Sequence, residues 1–186
     1  MQRKFFVLFL ALLLSFFTVD VFADVMQERR LTISASLFPR IIAVDTDITD
    51  KLDADGNIRL VLIYSDSKSK AEKISKLMTR KVKKIAGKTI VFSLIDINKP
   101  SLLDSEKHTG VFLVQPLSET QIQKVKDHSS KNGILLFSPF EGDVERGAMA
   151  SIFVGAKIRP YFNSLSMKNA RVNLKPALLK VSKLYE

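Results

Sequence analysis

The chain has 186 residues, with 29 lysines and arginines against 19 aspartates and glutamates, a formal charge of +10, and no cysteine. Disulfides, thiolate catalysis and lipid attachment through cysteine are therefore excluded, and with His108 and His128 as the two histidines a histidine-rich metal centre has little to draw on. The surplus positive charge suits an acidic protein face, anionic lipid headgroups or acidic polymers, set against the plain alternative of solvated lysines.

The first segment reads as an export signal. Arg3 and Lys4 precede an apolar run from Phe5 to Phe17, and Val21-Phe22-Ala23 offers the small residues that signal peptidase needs. The run, about 13 residues, falls short of the roughly 20 that cross a bilayer as a helix. Cleavage after Ala23 releases one domain's length of chain, residues 24 to 186, into the periplasm.

Val25 to Arg30 is too short and charged to assign alone. From about Thr32 the spacing of Ala35, Phe38, Ile41 and Ile42 predicts a helix disturbed at Pro39. Five aspartates follow between Asp45 and Gly56; their spacing fails the EF-hand pattern, so a solvated loop with Asx turns is expected.

Ile58 to Tyr64 is the clearest strand, and Ser65-Asp66-Ser67 after it supplies helix-capping side chains. Lys68 to Ala86 carries Ala71, Ile74, Leu77, Met78, Val82 and Ile85 at helical spacing, with lysines opposite. Thr89 to Ile95 completes a βαβ unit. Gly87-Lys88-Thr89 closes a helix rather than opening one, so it is no phosphate loop. Asn98 to His108 is a polar connection containing Pro100. Gly110 to Leu117 is a buried strand stopped at Pro116, and Ser118-Glu-Thr-Gln121 is a capping box for a helix to about Lys131, ending near Gly133.

Ile134 to Ser138 is apolar enough for a strand buried on both faces, broken at Pro139. The loop Phe140 to Gly147 gathers Glu141, Asp143, Glu145 and Arg146. Ser151 to Val154 and Lys157 to Phe162 form a hairpin around Gly155-Ala156 that closes the sheet edge. A helical turn around Leu165 and Met167 follows, then a terminal helix from Asn173 with Leu174, Ala177, Leu178, Val181 and Leu184 on its inner side. The expected fold is a single-domain, three-layer α/β sheet, mostly parallel and flavodoxin- or Rossmann-like, with a C-terminal hairpin edge and a terminal helix.

No G-x-S-x-G elbow and no G-x-G-x-x-G after a strand occurs, and the two histidines read as surface residues, so neither a catalytic set, a metal nor a cofactor is expected. The basic stretch from Lys68 to Lys88 lacks interleaved aromatics, which argues against nucleic acid. Open α/β sheets bind ligands beyond the carboxyl ends of their strands. That places contacts with a partner or ligand at Ser65 and Asp66 after the first strand and at Phe140, Glu141 and Arg146 after the fourth. A hydrolase using Glu141 is a further alternative.

The Ser-Pro-Phe-Glu-Gly loop, the run Ser-Ile-Phe-Val-Gly-Ala-Lys-Ile-Arg-Pro-Tyr-Phe-Asn ending at Asn163, and the final Val-Asn-Leu-Lys-Pro-Ala-Leu-Leu-Lys with Leu178 and Leu179 resemble the YfiR-like (HmsC-like) family of periplasmic proteins. The resemblance implies a non-catalytic regulator that binds the periplasmic sensor part of a membrane-anchored signalling protein, a diguanylate cyclase, and limits cyclic di-GMP synthesis and biofilm. The disulfides of the best-known member cannot form here, and Arg146-Gly-Ala-Met-Ala150 replaces the glycine-rich approach to the hairpin. The alternative is a solute-receptor type of binding module, with a small molecule between the loops after Tyr64, Val114 and Ser138. A homodimer stays open in either case.

Overall fold

The computed structural model describes residues 25–99 and 103–186. The expected leader and Pro100 lie outside the described residues. What the rest builds is one sheet of eight strands with helices on both faces.

Helix α1 spans 25–42 and starts further back than its apolar spacing alone predicts. It also continues through Pro39: Leu31, Ala35, Phe38, Ile41 and Ile42 are all fully buried, and that burial outweighs the roughly 3 kcal/mol a mid-helix proline costs. The aspartate segment folds around a 3-10 turn, Ile48–Lys51. Asx turns form as expected, Asp45 accepting from the Asp47 amide and Asp53 from those of Asp55 and Asn57. The expected solvation fails at both residues. Asp45 is buried against Lys51, Nζ to Oδ2 2.6 Å, and Asp53 is buried against Arg59 at 2.9 Å.

Strand β1 (Ile58–Tyr64) lies between β3 (Lys88–Asp96) and β4 (Gly110–Leu113), parallel to both. Helix α2 (Lys68–Lys81) connects β1 to β3 and is capped by Ser67, whose hydroxyl accepts from the Lys70 amide. It stops earlier than its apolar spacing predicts. Val82 is extended, Lys84–Ile85 forms β2, and Ala86 and Gly87 turn back with φ of 48° and 80°. This is the left-handed pair that a two-residue hairpin demands, and Ile85 is buried either way.

Helix α3 (Glu119–Lys131) carries the expected capping box between Ser118 and Gln121 and ends before Gly133. It leads to β5 (Leu135–Phe137), parallel to β4. Next come β6 (Ala150–Val154), parallel to β5, and β7 (Ile158–Asn163), antiparallel to β6. The order β2-β3-β1-β4-β5-β6-β7-β8 contains the flavodoxin-like arrangement of five parallel strands.

The predicted hairpin is not the sheet edge. After α4 (Ser164–Ala170) and α5 (Pro176–Val181), residues Lys183–Tyr185 form β8, parallel to β7. The terminal helix is therefore one and a half turns long and buries no residue fully; Val181 is 62% exposed and Leu184 sits on the strand. Ser182, extended, ends the helix by donating its hydroxyl to the Leu178 carbonyl. The core centres on Phe38 of α1, Phe112 of β4 and Phe137 of β5, with ring centroids 5.3 to 5.8 Å apart.

Candidate functional site

Beyond the end of β5 the chain makes a tight loop whose acidic residues divide into three roles. Ser138, fully buried, donates its hydroxyl to Asp143 and accepts from the Phe140 amide. Asp143 is buried and receives Arg146 at 2.7 Å; Arg146 also reaches Glu119 on α3 at 3.4 Å. Asp143 is thus a loop staple, its acceptor capacity consumed internally. Glu145 accepts a hydrogen bond from the Tyr161 hydroxyl at 2.9 Å, and Glu141 stays exposed.

Beside this loop is a pocket of about 110 Å³, closed by α1, by Phe140 and Glu141, and by the β6–β7–β8 face that presents Phe153, Tyr161 and Lys183. Strand register explains the convergence: Ser151 pairs with Tyr161 and Tyr161 with Lys183, so these side chains share a face. Arg30 enters from α1. Its Nε donates to the Pro139 carbonyl and its Nη2 to that of Ile152, at 2.9 and 3.1 Å, which fixes the guanidinium and leaves three of its five N–H donors. Lys183 Nζ stands 3.8 Å from the Phe153 ring centroid and 5.0 Å from that of Tyr161, held by the aromatic faces. Burial, then the bond to Glu145, pushes the Tyr161 phenol up to about 12, so it remains a donor at neutral pH. The pocket therefore offers two fixed cations, two carboxylates and a phenol among aromatic walls.

Of the residues singled out from sequence, Phe140 and Glu141 line this pocket, and Arg146 stands behind it on Asp143. Ser65 and Asp66 are at the end of β1, apart from it. There the Gln115 side-chain oxygen accepts from the amides of Ser65, Asp66 and Ser67 at 3.0 to 3.2 Å, so the loops after β1 and β4 are stitched together. Arg30, Phe153, Tyr161 and Lys183 escaped the sequence reading. Helical steps of four back from Phe38 pass through Ser34 to Arg30, the one available signal.

The histidines are not surface residues. His108 is 3% exposed and His128 packs its ring 5.7 Å from it, its Nδ1 3.3 Å from Asp104. Burial, then the charge of His128, pushes His108 down to about 4. Among the described residues no three histidines, cysteines or carboxylates gather as metal ligands.

No protein-family model matches the sequence, and no curated protein does. Solved structures with similar folds exist. One is described as the ABC domain in complex with L-Trp from Streptococcus pneumonia, with a TM-score of 0.52 at 10% identity over 78% of this chain and 62% of that one. Another is a conserved domain protein from Vibrio cholerae, also at 0.52, with 13% identity over 69% and 54%. The chain spans less than two thirds of either, and identities this low establish the α/β fold alone.

Proposed function

We propose that the protein is a small-molecule binding module whose ligand occupies the pocket between Arg30, Glu145, Tyr161 and Lys183. The observation that carries this reading is Arg30: a half-buried guanidinium anchored by two backbone carbonyls, with three donors unspent, in a pocket walled by aromatic rings. Fixed polar groups in a small, partly apolar pocket are what ligand recognition requires. On this reading the module binds its ligand and releases it unchanged. Amino acids and small organic acids are the first compounds to try, since a protein of similar fold holds L-Trp.

The test is a thermal-shift screen of such compounds on the full chain and on Arg30→Ala. A ligand at 100 times its dissociation constant adds about 2.7 kcal/mol, a shift of several degrees in Tm. Wild type is expected to shift and Arg30→Ala not to. A panel that shifts neither, or both equally, sinks the reading.

A second reading makes the module an exported regulator of a membrane signalling protein. What favours it is that Asn163 ends β7 and caps α4, accepting from the Ser166 amide, while Leu178 and Leu179 lie together in α5, the two marks on which the YfiR-like resemblance rests. Deleting the gene and measuring cyclic di-GMP and biofilm tests it, and unchanged levels would discard it.

A further inference from the structure

From Ser151 to Tyr185 the chain contains seven lysines and arginines and no acidic residue. The fold concentrates four of these at one sheet edge: Lys157 and Arg159 on the β6–β7 hairpin, Lys180 on α5 and Lys183 on β8. The ion pairs formed among the described residues use other cations, namely Lys51, Arg59, Lys70, Lys73, His128 and Arg146. None of the four edge cations is in an ion pair among the described residues, although Glu141 and Glu145 share the pocket with Lys183 and Glu186 follows Tyr185. Arg159 and Lys183 both approach the Phe153 ring, at 5.9 and 3.8 Å, so hairpin and last strand make one surface.

Five of the eight large apolar side chains exposed among the described residues also lie at this edge, Val154, Ile158 and Leu184 on the sheet face opposite Arg159 and Lys183. Val154 and Ile158, paired across the hairpin, are 42% and 43% exposed; Val181 is 62%, Leu184 42% and Tyr185 38% exposed. Helix α2 provides the internal contrast. It is as cationic, through Lys73, Lys76, Arg80 and Lys81, but its Ala71, Ile74 and Met78 are buried and none of its large apolar residues is exposed. Charge alone is what a solvated face looks like; charge with exposed aliphatics is not.

We infer that this edge docks on an anionic lipid surface, the β6–β7 tip entering the headgroup region while Lys157, Arg159 and Lys180 engage lipid phosphates. Charge complementarity selects the occupant. A second copy would bring the same cations against these, and a neutral surface would leave them without partners. An anionic interface satisfies both components, accepting branched aliphatics and tyrosine at headgroup depth and gaining from each basic residue.

The experiment is co-sedimentation of residues 24 to 186, the chain without its apolar leader, at low salt with phosphatidylcholine vesicles, with and without phosphatidylglycerol. Binding is expected to the anionic vesicles only. Lys157→Glu with Arg159→Glu should weaken it at least about tenfold. Ile158→Ser with Val181→Ser, which leaves the charge unchanged, should weaken it several-fold, and Lys76→Glu with Lys81→Glu on α2 should change it little. Failure of wild type to bind, indifference to the apolar substitutions, or an equal loss from the α2 reversal overturns the proposal. Equal affinity for soluble polyglutamate at the same salt overturns it too, in favour of an acidic protein partner.

Discussion

Gln115 holds the Ser65 amide from across the sheet: its side-chain oxygen, at the end of β4, accepts from Ser65 and from the next two backbone amides beyond β1. In flavodoxin-like sheets this junction is where phosphate-bearing ligands are received by backbone amides. Here a neutral side chain of the protein occupies that position. The pocket lined by Arg30, Tyr161 and Lys183 lies off this switch point, toward β6, β7 and β8.

Gln115→Ala should cost about 1 kcal/mol in urea unfolding, because water can replace part of what three partly exposed amides lose. Gln115→Glu should hold at neutral pH, where a carboxylate accepts more strongly, and weaken as the pH falls through the range of a glutamate. No change in either variant would mean that the crosslink contributes nothing.

Lys51 and Asp45 form a contact of 2.6 Å with side-chain exposures of 9% and 0%. Lys51→Met leaves a buried carboxylate without its partner and should cost about 3–5 kcal/mol. Adding Asp45→Asn should recover much of that loss. A double variant as unstable as the single one would show that the lysine acts through packing instead.

The pH dependence of stability should carry the mark of His108. Its folded pKa is about 4 against 6.5 for the free side chain, because burial first, and then His128 and Arg59, disfavour its charge against the pull of Glu106 and Asp104. The shift is downward, so the unfolded chain takes up the proton first. The contribution is complete above pH 6.5 and is lost as pH falls toward 4, by at most about 1.4 kcal/mol per pH unit. Urea midpoints of His108→Phe should fall less steeply than wild type over that window; parallel curves would refute this.

Gly110 is required by contact rather than by backbone angle. A Cβ there would lie 2.6 Å from Ile42 Cδ1 and 3.1 Å from Phe38 Cζ. Gly110→Ala should cost about 1–3 kcal/mol. Because Ile42 is the closest neighbour, Ile42→Val in that background should be less harmful than in wild type, and a double-mutant cycle measures the difference.

The interior of this sheet is readable because strands buried on both faces are continuous apolar runs. β1 coincides with Ile58 to Tyr64, and β5 falls within Ile134 to Ser138. The capping box at Ser118 is a local signal and is equally plain. The sheet margins were not legible. β2 and β8 have two and three residues, too few to show a period, and Leu184 fits a helical stripe as well as a strand. The pocket was half legible for a different reason. Phe140 and Glu141 lie on a loop that announces itself, whereas Arg30, Phe153 and Lys183 are ordinary residues joined by register and helix placement, which only the assembled sheet reveals.

The strand order also constrains how the chain acquires its shape. The parallel contacts of β1 are with β3 and β4, tens of residues downstream, so the interior of the sheet must wait for large loops to close. The β2–β3 and β6–β7 ribbons are antiparallel pairs closed by short turns. They are free to form early, leaving the ribbon beside the pocket assembled before the strands that will support it.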